Sequence, residues 1–104
     1  MAKLDIYENL DQESCEEIPF LLDIQHELHQ NLRIRMIVPL IRTEAQKSGL
    51  NALCPKFVIE GQSVFASIPE MAAYPAKELG GKIRNLEAKR CEIFSAVDFL
   101  LNGF

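Results

Sequence analysis

The chain has 104 residues, 48% of them hydrophobic and 25% charged, with a net charge of −4. That length suits a single folded unit, residues 1–104, with a core of its own, and the acidic balance argues against direct nucleic-acid binding through a basic surface. No stretch approaches the roughly 18 apolar residues of a membrane span, and Met1-Ala2-Lys3-Leu4-Asp5 lacks the apolar centre of a signal peptide, so the expectation is a soluble, cytoplasmic protein with no membrane contact.

Lys3-Leu4-Asp5-Ile6-Tyr7 alternates strictly and predicts a first strand with Leu4 and Ile6 on one face. Glu8 to Glu17 is acidic and holds Asn9, Asp11 and Ser14, which favour turns; it reads as an exposed loop. Pro19 to Gln25 predicts a second strand, with Phe20, Leu22 and Ile24 sharing a face and Pro19 at its start, where a missing N–H does little harm. His26-Glu27-Leu28-His29 is one residue short of the zinc motif HExxH, and histidines three apart after a strand do not share a helical face as that motif requires. The segment reads as a strand end or loop, with Leu28 exposed.

Arg33-Ile34-Arg35-Met36-Ile37-Val38-Pro39-Leu40 predicts the central strand. Alternation puts Ile34, Met36, Val38 and Leu40 on a core face and Arg33, Arg35, Ile37 and Pro39 on the other. The two arginines could grip a phosphate or carboxylate, or simply be solvated. Thr43-Glu44-Ala45-Gln46 could open a short helix, broken by Lys47 to Asn51. Lys56 to Glu60 and Ser63 to Ser67 flank Gly61-Gln62 and predict a hairpin with glycine supplying positive φ. Ile68 to Pro75 reads as one helical turn opened by Pro69 and closed by Pro75, followed by a short extended piece from Ala76 to Leu79.

Leu86 to Leu101 predicts the last element, a helix with Asn85 as N-cap and Gly103 at the position that favours left-handed φ. Leu86, Ile93, Val97, Leu100 and Phe104 form its apolar stripe, widened by Phe94 and Leu101. Cys15, Cys54 and Cys91 have no CxxC spacing and are expected as buried thiols in a reducing compartment. No Ser-His-Asp, Cys-His or metal-ligand spacing is present, so no cofactor, no metal and no catalytic residue is expected.

Several of these stretches, in order and spacing over almost the whole chain, resemble the CcdB family of plasmid-addiction toxins. They are Pro19 to Gln25, Arg35-Met36-Ile37-Val38-Pro39-Leu40, Leu53-Cys54-Pro55-Lys56-Phe57-Val58-Ile59, Glu70-Met71-Ala72-Ala73-Tyr74-Pro75 and the helix ending Asn102-Gly103-Phe104. The resemblance implies a mainly β fold with a C-terminal helix (α+β): a CcdB/MazF-like SH3-type barrel with an antiparallel sheet and a small three-stranded appendage. It implies a homodimer with the helix ends near the two-fold axis. Leu100, Leu101 and Phe104 are the interface residues, because their apolar stripe exceeds what one protomer can cover.

It also implies the toxin of a type II toxin–antitoxin system, a plasmid-maintenance function and not an enzyme. Such a toxin binds the A subunit of DNA gyrase and traps its cleaved-DNA complex, and a CcdA-like antitoxin neutralises it. The family's gyrase contacts carry over to Leu28, His29, Asp98, Leu101, Asn102, Gly103 and Phe104. Asn102 stands where the best-known members have tryptophan, Phe104 replaces an aliphatic end residue, and His29 also differs. Two other functions stay open: a CcdB-like binding domain without toxicity, favoured by Asn102, and a MazF-like endoribonuclease with Arg33 or Arg35 steadying a phosphate.

Overall fold

The computed structural model describes residues 4–25, 33–43 and 53–103. Among them lie strands β1 (Asp5–Glu8), β2 (Phe20–Asp23), β3 (Ile34–Arg42), β4 (Lys56–Ile59), β5 (Gln62–Ala66), β6 (Ala72–Pro75) and β7 (Lys82–Asn85), then helix α1 (Arg90–Asn102). The strands form one curled antiparallel sheet in the order β4-β5-β3-β2-β1-β7, with β6 also on β3. The expected class, a mainly β CcdB-like fold with one C-terminal helix, is therefore what the chain adopts, with the sheet curled into a half-barrel.

The alternating residues explain the core. Leu4, Ile6, Phe20, Leu22, Ile24, Val38 and Leu40 project from neighbouring strands to one side, and Phe57, Ile59, Val64 and Ile68 close the layer. From α1, Ile93 and Ala96 seal it. The register supports this: Ile6 pairs with Leu22, and Leu22 with Val38. Residues directly opposite share a face, so each row adds an unbroken strip of apolar surface.

β3 departs from the expected two-faced strand. Val38 and Leu40 are fully buried, but Ile34 and Met36 on the same face are exposed. The core ends at Val38. Beyond it the first half of β3 runs beside β6, opposite exposed Ala73 and Pro75. On the other face Arg35 and Ile37 are buried, against expectation. Leu21, Ile37, Ile41 and Phe65 bury a second, smaller apolar layer there, and Arg35 is drawn in by Asp23 across the strand pair.

Other boundaries also shift. The β4–β5 loop is Glu60-Gly61 rather than Gly61-Gln62; both have positive φ (49° and 77°), and Ile59 pairs with Gln62. That is the type I′ geometry whose twist suits a hairpin. The turn after Ser67 is a 3₁₀ turn over Ile68–Glu70 only. Ala72–Pro75 is β6 instead of helix, because β3 offers it a ladder from Ile34 to Ile37. Pro75 sits at the strand's last position, where a lost donor matters least. Ala76–Glu78, expected to be extended, is a second 3₁₀ turn, closed by Leu79 N–H on Ala76 O.

Lys82–Asn85 is a strand that hydrophobic patterning does not show, since Ile83 is its one apolar residue. β1 recruits it by pairing Asp5 with Asn85 and Ile6 with Arg84. The helix consequently starts later than Leu86: a 3₁₀ turn over Glu87–Lys89 precedes α1 at Arg90. Asn85 still caps the approach, its Oδ1 accepting from Glu87 N–H at 2.8 Å. The cysteines are not buried as expected: Cys15 and Cys54 are half-buried and Cys91 is exposed on α1. No helix among the described residues is long and apolar enough to cross a membrane.

Candidate functional site at the end of the C-terminal helix

The stripe of α1 leaves the core as it proceeds. Ile93 is 0% exposed, Ala96 2% and Leu100 37%. Leu101 reaches 68%, and Phe99 is 39% exposed. Successive helical residues are about 100° apart, so Phe99, Leu100 and Leu101 wrap more than half of the last turn in apolar surface. Exposing three such side chains in a row to water gains nothing, and contiguous exposed apolar surface marks contact with another molecule.

The turn ends cleanly. Gly103 adopts φ 80°, ψ 7°, and its N–H donates to Phe99 O at 2.9 Å. This closes the helix in a left-handed cap that a side chain would strain. Asp98 is exposed in this last stretch, which has no basic residue. A carboxylate at the negative end of the helix dipole opposes helix stability by a few tenths of a kcal/mol up to about 1. Its position suits a cation on another molecule better than it suits the helix.

Of the residues expected at the site, Asp98, Leu101, Asn102 and Gly103 are therefore gathered and exposed on one helix end, with Leu100 beside them. Leu28 and His29, with the rest of His26 to His29, lie outside the described residues, as do Phe104 and the segment from Glu44 to Asn51. Phe99 was not singled out by the stripe. The run Phe99-Leu100-Leu101 could have shown it, because three successive large apolar residues cannot all face one core.

A second cluster lies on the sheet face opposite the main core. Asp23 Oδ2 takes Arg35 Nε at 2.9 Å and Nη2 at 2.8 Å, while its Oδ1 accepts from Gln25 N–H. Buried Asp5 accepts from Asn85 Nδ2 at 2.9 Å and faces Lys82 at 3.4 Å. The Tyr7 hydroxyl lies 3.5 Å from Asp5, and burial, then the nearby Asp5 and Asp23 charges, push its pKa up. Arg35 is thus engaged within the protein and offers no exposed clamp for a phosphate beside Arg33. The Cys54 thiol is likewise raised, by burial and then by Glu70, which keeps it protonated at neutral pH. Among the described residues no group of three His, Cys, Asp or Glu side chains is placed to hold a metal.

These features define a small half-barrel protein whose concentrated apolar surface sits at the end of one helix. The chain belongs to the CcdB family, toxins of toxin–antitoxin systems: the family model described as CcdB protein matches residues 3–103. A comparison with individually curated proteins gave no match.

Proposed function

We propose that this protein is a gyrase poison: a toxin that binds the A subunit of DNA gyrase, traps the cleaved-DNA complex and is held in check by a CcdA-like antitoxin. Family membership across residues 3–103 carries the reading. The exposed helix end supports it, because it presents an apolar anchor and a carboxylate to a partner. The active form in this reading is a cytoplasmic homodimer, residues 1–104 forming one unit, with Leu100, Leu101 and Phe104 at the two-fold axis. Leu28, His29, Asp98, Leu101, Asn102, Gly103 and Phe104 form the gyrase contact. A plasmid-maintenance role would follow from that pairing of toxin and antitoxin.

One observation favours a second reading, a binding protein without toxicity. Asn102 cannot supply the stacking that a tryptophan provides at an interface. A ribonuclease reading is left with exposed Arg33 to steady a phosphate, since Arg35 is engaged by Asp23. The test is a cleavage assay with purified gyrase, ATP and supercoiled plasmid. After detergent and protease, a poison leaves linear DNA. Binding to gyrase without linear DNA supports the second reading, and no binding overturns both.

A further inference from the structure

We infer that Asp5 is a positioning residue for the exposed helix tip, which it holds by clasping β7 and α1 to the sheet as one unit. The joint runs through Asn85, Leu86 and Glu87. Asn85 Nδ2 donates to Asp5 Oδ1 at 2.9 Å, and Lys82 Nζ lies 3.4 Å from the same oxygen. Asn85 Oδ1 accepts from Glu87 N–H at 2.8 Å, so one amide side chain ties β1 to the start of the helical segment. Between them Leu86 N–H donates to Leu4 O at 2.8 Å. The Asp5 side chain is 2% exposed. A carboxylate so deeply placed binds its donors firmly, because losing one exposes the cost of its desolvation.

Leu4 shows that the joint is held under strain. Its φ is 56°, a left-handed backbone that leucine seldom adopts, and its side chain is fully buried. Such a conformation persists only where the surroundings impose it. Here it places the side chain in the core while the carbonyl meets Leu86 N–H. The rest of the unit is lightly attached. Among the described residues β7 pairs with β1 alone, and its register skips Ile83, because Ile6 faces Arg84 and Tyr7 faces Lys82. Gly80-Gly81 precedes β7 and supplies a hinge. α1 fully buries only Ile93 and Ala96 before it leaves the core. Its 13 residues span roughly 20 Å, so a tilt of about 10° at the clasp would move the tip by roughly 3 Å. The direction in which Phe99, Leu100 and Leu101 point is therefore set by polar contacts at the other end of the helix. The inference concerns how the tip is carried and holds for any partner that meets it.

The experiment measures residual dipolar couplings of the backbone amides of the full chain by NMR. In the unaltered protein α1 and the sheet should fit one common orientation. Asn85→Asp keeps an acceptor for Glu87 N–H but replaces the donor to Asp5 with a second carboxylate. In that variant the α1 couplings should shrink or demand a rotated helix axis, while those of β2 and β3 keep their fit. Asp5→Asn combined with Asn85→Asp exchanges donor and acceptor across the joint and should restore the original α1 couplings. A lower melting temperature with unchanged α1 couplings would make Asp5 a structural residue only and overturn the proposal, as would failure of the exchanged pair to restore them. Should Asn85→Asp not fold, amide hydrogen exchange of the unaltered protein decides. The protected amides of β7 and α1 should exchange through one shared opening, at least about tenfold faster than those of β2 and β3 after correction for intrinsic rates. Exchange of all four elements in step would overturn it. None of these measurements involves gyrase, so the helix-end reading stands or falls apart from them.

Discussion

Arg35 and Asp23 face each other across β2 and β3, two Arg35 nitrogens within 3 Å of one carboxylate oxygen and both side chains almost wholly hidden. Ion pairs this buried gain little net stability over apolar neighbours, but breaking one leaves a charge with no water. Arg35→Ala should cost about 3–5 kcal/mol. Replacing both residues, Arg35→Met with Asp23→Leu, should recover much of that loss. Urea denaturation of the single and double variants measures it; a double variant as weak as the sum of the singles would mean the pair is not the source.

The extent of the core is tested within one strand. Val38→Asp places a carboxylate at a fully buried position and should cost more than about 4 kcal/mol, enough to unfold most chains of this size. Met36→Asp, two residues earlier on the same face, should cost less than about 1 kcal/mol, because Met36 is 39% exposed. Thermal melts of the two variants, followed by circular dichroism, should differ widely.

Both tyrosines should titrate late. Burial, then the Asp5 and Asp23 charges, raises Tyr7; burial, then Glu78 and Asp11, raises Tyr74. A folded pKa above the unfolded value of 10.0 favours the folded state at every pH below it. That contribution is present at neutral pH and is lost as pH rises above 10 through the folded values. Phenolate absorbance should therefore lag behind that of a denatured sample. Tyr7→Phe should make stability less sensitive to pH in the alkaline range.

The helix end should control association without controlling folding. Light scattering should give about twice the 11.8 kDa chain mass, and Leu101→Asp should halve it with little change in melting temperature. Removing Asn102 to Phe104 should leave the sheet intact, at about 1–2 kcal/mol of lost apolar burial, and abolish gyrase binding. Asn102→Trp should tighten gyrase binding by about 0.5–2 kcal/mol if a stacked cation is the missing contact. Retained poisoning by the truncated chain would move the site elsewhere.

Much of this architecture was legible in residue patterns. Leu4 and Ile6, and Phe20 with Leu22 and Ile24, share the faces that alternation assigns them, and Gly103 takes the left-handed cap its place implies. What escaped lacks an alternation of apolar and polar side chains of its own: Ala72–Pro75 has no charged residue to alternate with, and Lys82–Asn85 has only Ile83. Ala72–Pro75 and Lys82–Asn85 become strands because β3 and β1 present ladders to them, a tertiary influence that no local pattern carries. The turn slipped by one residue because Glu60 accepts a positive φ that its type rarely adopts. Arg35 was misplaced because a charge on a strand reads as solvent-facing until its partner, twelve residues away, is known. At the candidate site the exposed helix tip followed from the stripe, whereas the clasp between Asp5 and Asn85 joins residues 80 apart and has no linear signature.

The pairing of β1 with β7 governs when this protein can be complete. Asp5 receives a hydrogen bond from Asn85, 80 residues later, and Gly80 passes so close to Glu8 that a Cβ there would lie 2.6 Å from its carbonyl oxygen. At a synthesis rate of about 5–20 residues per second, the first strand waits several seconds for its outer neighbour. Contacts this distant in sequence slow folding. The helix that carries the exposed tip is made later still. A ribosome-bound chain is therefore without the exposed helix tip until Arg90–Asn102 has been made and has folded, which leaves an interval for a partner already present to meet the protein as it matures.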